Sequence, residues 1–166
     1  MDAAVRPYAD PDHDACRALW AELTEHHRAI YRADDIGGDD PGAGFNDYLA
    51  LPTRVGTWVA VAGGVVVGLA GLLIDGDEGE IEPVVVAAAH RRTGIGAALV
   101  ATAVDASLAG GAATVGVRPV ARNGEAVRFF HALGFRTLGH VEMFIPGDAA
   151  REWLAGPSLH DRSFRF

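Results

Sequence analysis

Two hydrophobic rhythms alternate along this chain. Leu19, Trp20, Leu23 and Ile30 fall near one face of a helical repeat, which predicts a helix from Pro11 to about Arg32. From Val55 to Ile74 the apolar residues instead run without a charge, rich in β-branched types and divided at the centre by Gly63-Gly64. That pattern predicts strands near 56–62 and 65–74 joined by a two-residue turn. The run is also long enough to cross a bilayer as a helix, but two glycines suit a hairpin turn far better than a helix interior.

The same reading extends over the rest of the chain. Val5 to Tyr8 is a first strand, and a short helix around Phe45 to Leu51 stops at Pro52. Between them the stretch from Asp34 to Gly44 is acidic and glycine-rich, which predicts a mobile loop. Glu80 to Ala87 is a strand in which Pro83 removes a backbone donor, so a bulge or an unpaired edge is expected there. The helix from Thr93 to about Ala109 carries a wide apolar surface of Ile95, Leu99, Val100, Ala103, Val104 and Leu108 and must lie against a sheet. Ala113 to Val117 is another strand, and a further helix runs between Asn123 as N-cap and Gly134 as stop. Phe135 to Ile145 is expected to supply the last strand or strands. Asp148 is placed to cap one more short helix ended by Gly156-Pro157, leaving SLHDRSFRF as a tail.

Composition narrows the class. The chain has 166 residues, 49% of them hydrophobic, with 22 acidic against 14 basic residues and a formal net charge of -8. Its length suits a single domain spanning 1–166, with 147–166 as a C-terminal extension. The acidic balance argues against nucleic acid as a partner, which calls for a basic face. Cys16 is the only cysteine, so no internal disulfide can form, and no basic-then-apolar leader opens the chain; both fit a cytoplasmic protein. Adjacent His26-His27 point about 100° apart on a helix and have no completing ligands, so no metal is expected.

The most informative stretch is Glu80 to Gly96, EIEPVVVAAAHRRTGIG, in which an apolar strand breaks into two arginines and a Gly-x-Gly that opens a helix. Amides at a helix start lack intrahelical partners and sit at the positive end of its dipole, so they bind anions. An ATP-type loop is excluded because no lysine lies near or after these glycines. A dinucleotide fingerprint is excluded because Leu99 stands where its third glycine belongs. Arg91-Arg92-Thr93-Gly94-Ile95-Gly96 resembles instead the Arg/Gln-x-x-Gly-x-Gly/Ala signature of the GCN5-related N-acetyltransferases (GNAT). The segment NGEAVRFFHALGF, Asn123 to Phe135, resembles that family's second motif.

The resemblance covers residues 55 to 146 by motif and strand order. It implies a mixed, mostly antiparallel α/β sheet flanked by helices on both sides, with acetyl-CoA as cosubstrate. It also implies transfer of the acetyl group to a primary amine, on a small molecule or a peptide, by direct attack in a ternary complex. Phosphates would meet the amides of Thr93, Gly94, Ile95, Gly96 and Ala97 together with Arg91 and Arg92. Val85 and Val86 would offer backbone groups to pantetheine, and Asn123 and Phe130 would lie on the cofactor's pantetheine side. Glu82 is the expected base that drains the amine's proton through water, with Glu80 in reserve.

Phe130 occupies a position where many relatives carry a tyrosine acid, and a phenyl ring donates no proton. Either the thiolate then leaves unaided, or Tyr48, His131 or His140 serves, or the chain only binds acyl-CoA without turnover. Asp34, Asp35, Asp39 and Asp40 would draw a cationic amine, and His140 and Glu142 share a strand face that would approach it. The aromatic tail, with Trp153, Phe164 and Phe166, would cover the pocket or join a second copy as a homodimer.

Overall fold

The computed structural model describes residues 3–145, 147 and 153–166. The helix expected to be capped by Asp148 begins outside the described residues. Contacts divide the chain after Arg118 into two compact units.

The first unit is a five-stranded sheet in sequential order: β1 (Ala4–Pro7), β2 (Arg54–Ala62), β3 (Val65–Asp75), β4 (Glu78–Val86) and β5 (Thr114–Gly116). Neighbours are antiparallel except β4 and β5, which run parallel, as a pair joined by a crossover helix can. The membrane-length apolar run is the β2–β3 hairpin. Gly63 and Gly64 turn it with φ of 58° and 81°, the positive angles that a tight hairpin turn of this hand demands. Among the described residues no helix is long and apolar enough to cross a membrane.

Helices cover both faces. On one side α1 (His13–Tyr31) and α2 (Gly44–Leu49) bury Cys16, Leu19, Phe45 and Tyr48 against Val59, Leu69 and Val85. On the other side α3 (Ile95–Ala109) sets Ile95 and Leu99 against Ala60, Val67 and Ala70. The predicted apolar face of α3 holds at Ile95, Leu99, Val100 and Ala103, whereas Leu108 is 54% exposed near the helix end.

The acidic loop after α1 is tied down rather than loose. Arg28 donates to the carbonyls of Ile36 and Gly38, Thr24 to that of Pro41, and Arg17 pairs with Asp40. Three polar side chains on α1 thus satisfy loop groups that a free chain would leave to water.

The second unit holds α4 (Gly124–Ala132), followed by β6 (Ala155–Leu159) and β7 (Arg162–Arg165) paired as a separate antiparallel hairpin. Asn123 caps α4 as expected, its side-chain oxygen accepting from the Ala126 amide at 3.0 Å. Two expectations fail here. Residues 135–145 form no strand, and Leu138, Met143 and Ile145 are 78%, 69% and 95% exposed. The segment SLHDRSFRF is no simple tail, and Gly156-Pro157 lies inside β6 instead of ending a helix. His160 and Asp161, with φ of 48° and 59°, make the turn between β6 and β7, and Leu154 and Phe166 close its open end with two backbone hydrogen bonds.

Candidate active site

Strand β4 organises the first unit's polar residues. Its pairing with β3 slips between Ala70 and Leu72, which face Val84 and Ile81, so β4 carries one extra residue at Glu82-Pro83. This is the bulge that Pro83 predicts; the Glu82–Pro83 peptide is cis. Beyond the bulge Val85 packs on the α1 side and Val84 and Val86 on the α3 side. On the edge away from β3, β5 pairs with β4 only from Glu78 to Glu80. From Ile81 onward that edge of β4 has no strand partner within the described unit.

The strand leads into a loop built for anions. Arg92 and Gly94 both adopt the left-handed conformation, φ 64° and 88°, and a Cβ on Gly94 would meet nothing within 4 Å. The first helical hydrogen bond of α3 runs from the Ala98 amide to the Gly94 carbonyl at 3.0 Å. The amides of Ile95, Gly96 and Ala97 therefore precede the first intrahelical donor, have no partner within the helix and lie at the positive end of the dipole. Arg91, Arg92, Thr93 and Gly94 are exposed there. The Arg91 Nε donates to the Val86 carbonyl at 3.1 Å and the Thr93 hydroxyl to the His90 carbonyl at 2.6 Å, which fixes the loop's entry to the helix.

Glu82 stands exposed on the bulge. Glu80, two residues earlier, is half-buried and bound by Arg118, which follows β5. Burial chiefly raises the Glu80 pKa, and the neighbouring charge of Glu82 adds to the rise while Arg118 opposes it. Tyr48 lies on the α2 side with its hydroxyl 2.8 Å from Thr57 Oγ1 and 3.2 Å from the Gly56 carbonyl. Its pKa is raised, mainly by burial.

The predicted residues thus divide between the units. Glu82, Val85, Val86 and Arg91 through Ala97 form one continuous strand, loop and helix start in the first unit. Asn123 and Phe130 belong to the second, where Phe130 is buried against Phe129 and Phe135 with ring centroids 5.0 and 5.8 Å away. His140 and Glu142 lie in the stretch that forms no strand and so share no strand face. Of the four loop aspartates, Asp40 is committed to Arg17 and the Gly42 amide, which hold its carboxyl below the usual range. Sequence reasoning missed Arg118 and Gly71. A glycine inside an otherwise apolar strand was the available signal for Gly71, since it marks a bulge or a close approach.

Residues 14–135 match the model of the acetyltransferase (GNAT) family, and the chain belongs to that family. It is therefore an acyl-CoA-dependent acetyltransferase with a CoA-based cosubstrate. No curated protein resembles it closely enough to be matched with it. Among solved structures, it is similar to the BH1408 protein of Bacillus halodurans in a mutant form, with 17% identity over 86% of this chain and 98% of that one and a TM-score of 0.72. An acetyltransferase of Trypanosoma brucei shares 25% identity over 87% and 100% of the two chains, with a TM-score of 0.64. The aminoglycoside N-acetyltransferase AAC(6′)-Iy in complex with CoA shares 18% over 86% and 98%, with a TM-score of 0.65.

Proposed function

We propose that this protein transfers the acetyl group of acetyl-CoA to the primary amine of a small cationic acceptor. The observation that carries the reading is the single passage from β4 to α3. It puts an exposed carboxylate on a bulge, an unpaired strand edge, and a run of helix-start amides beside two exposed arginines within fifteen residues, Glu82 to Gly96. The amides of Gly94 to Ala97 and the side chains of Arg91 and Arg92 would take the phosphates, and the free edge of β4 near Val85 the amide groups of pantetheine.

The amine nitrogen then attacks the thioester carbonyl carbon, forming the N–C bond as the C–S bond breaks. Glu82 takes the ammonium's surplus proton through water beforehand, since an alkyl ammonium with a pKa near ~10 is otherwise charged at neutral pH. With phenylalanine at position 130, the thiolate leaves unaided, which a thiol pKa near ~8.5 makes tolerable. The second proton, shed by the acylated nitrogen, passes through water to the thiolate, giving the amide and free CoA thiol. The chemistry requires no metal. Support for a small-molecule amine comes from the negative charge of the chain and from the aminoglycoside acetyltransferase among the structures that share this fold.

Calorimetric titration with acetyl-CoA, beside ATP and NAD, tests the cosubstrate, and an amine screen read by thiol release tests the reaction. Selective micromolar binding and turnover with di- or polyamines are expected. Equal affinity for all three nucleotides, or turnover confined to neutral or peptide amines, would overturn the reading.

A further inference from the structure

Gly71 lies on β3 between Ala70 and Leu72, at the point where β4 carries its extra residue. A Cβ built on Gly71 would come within 2.1 Å of the Tyr48 hydroxyl and 2.4 Å of the Glu82 carbonyl. Both atoms therefore occupy the volume that any other residue at 71 would fill. The hydroxyl is anchored there by Thr57 and Gly56 from β2, and Tyr48 is only 3% exposed. Its ring is held in turn by Trp20 and Phe45, with centroids 5.6 and 6.0 Å away.

We infer that Tyr48 is a positioning residue for Glu82: its hydroxyl, seated over Gly71, fixes the β4 bulge and so sets where the Glu82 carboxylate stands. This rests on the reading of Glu82 as the base. A bulge leaves a residue without a ladder partner, so its orientation depends on what packs against it. Here that support comes from an aromatic hydroxyl reaching across from α2. The charge of Glu82 is also one of the influences that raise the Tyr48 pKa, after burial, which fits their closeness.

The test is a double-mutant cycle of Tyr48→Phe and Glu82→Gln, with kcat and both KM values measured on an acceptor that the wild type acetylates. Tyr48→Phe is expected to lower kcat roughly tenfold with the KM for acetyl-CoA unchanged, and to add no further loss in the Glu82→Gln background. Losses that multiply, or a folded Tyr48→Phe protein with unaltered kcat, would overturn the inference while leaving the base reading intact. A Glu82→Gln enzyme of full activity would remove both. Should Tyr48→Phe fold poorly, Thr57→Val withdraws the hydroxyl's anchor and carries the same expectations.

Discussion

The carboxylate of Glu80 is clasped by Arg118, 38 residues further along the chain, just past the last place where β4 and β5 are paired. The pair is lopsided: the Glu80 side chain is 16% exposed and that of Arg118 76%. The arginine reaches in from solvent and only partly offsets the cost of burying the charge, so the folded-state pKa of Glu80 ends up raised.

This fixes a sign for the pH dependence. A carboxyl whose folded pKa exceeds its unfolded one contributes most below the unfolded pKa, and that contribution is lost as pH rises through the folded pKa. Glu80→Gln should therefore gain stability relative to the wild type as pH rises from the usual carboxylate pKa of ~4 into the neutral range. Denaturant midpoints of both proteins across that range check it, and a gap that moves the other way would mean that Arg118 outweighs burial.

Gly94 offers a separation of strain from crowding. Its φ of 88° is costly for any residue with a Cβ, yet such a Cβ would meet open space. Gly94→Ala should cost about 1–2 kcal/mol of stability. If the loop relaxes to relieve the strain, the α3 amides move and acetyl-CoA binding weakens about tenfold or more, a loss of at least ~1.4 kcal/mol. Calorimetry on the variant measures the second effect and thermal unfolding the first.

Cys16 is fully buried and its thiol pKa is pushed up to about 12, burial being the main cause and Asp12 an added one. Only the thiolate reacts with disulfide reagents. The native protein should leave a chromogenic disulfide untouched at mildly alkaline pH and release one equivalent of thiol on unfolding. Rapid native-state reaction would show that the α1 core opens far more often than its packing implies.

What could be read in the sequence depended on local chemistry. Gly63-Gly64, Pro83 and the Gly94-x-Gly96 loop act through backbone angles or a missing donor, Asn123 through a side chain that caps the helix beside it, and each is visible in a few residues. The 135–145 stretch misled because the residues of one segment do not say whether a neighbouring strand exists to pair with. Its rival, the β6–β7 hairpin, turns on His160-Asp161, a weaker turn signal than a glycine pair. The partners of Glu80, Asp40 and Tyr48 come from 38, 23 and 9 residues away, and no local pattern encodes such meetings.

Glu82 carries the sharpest kinetic expectation. Its side chain is exposed on a bulge, so Glu82→Gln should leave the melting temperature within about 1–2 °C of the wild type, since surface changes cost little. General-base assistance is worth ~10² or more, so kcat should fall by about that factor at neutral pH while acetyl-CoA binds as before. Raising the pH supplies neutral amine without enzymatic help, and the deficit should shrink as the acceptor's own pKa is approached. Steady-state rates of both proteins across a neutral to alkaline series decide it. A uniform deficit at every pH would assign Glu82 to holding the acceptor, and no deficit would send the search for the base to Glu80, the other carboxylate on this strand.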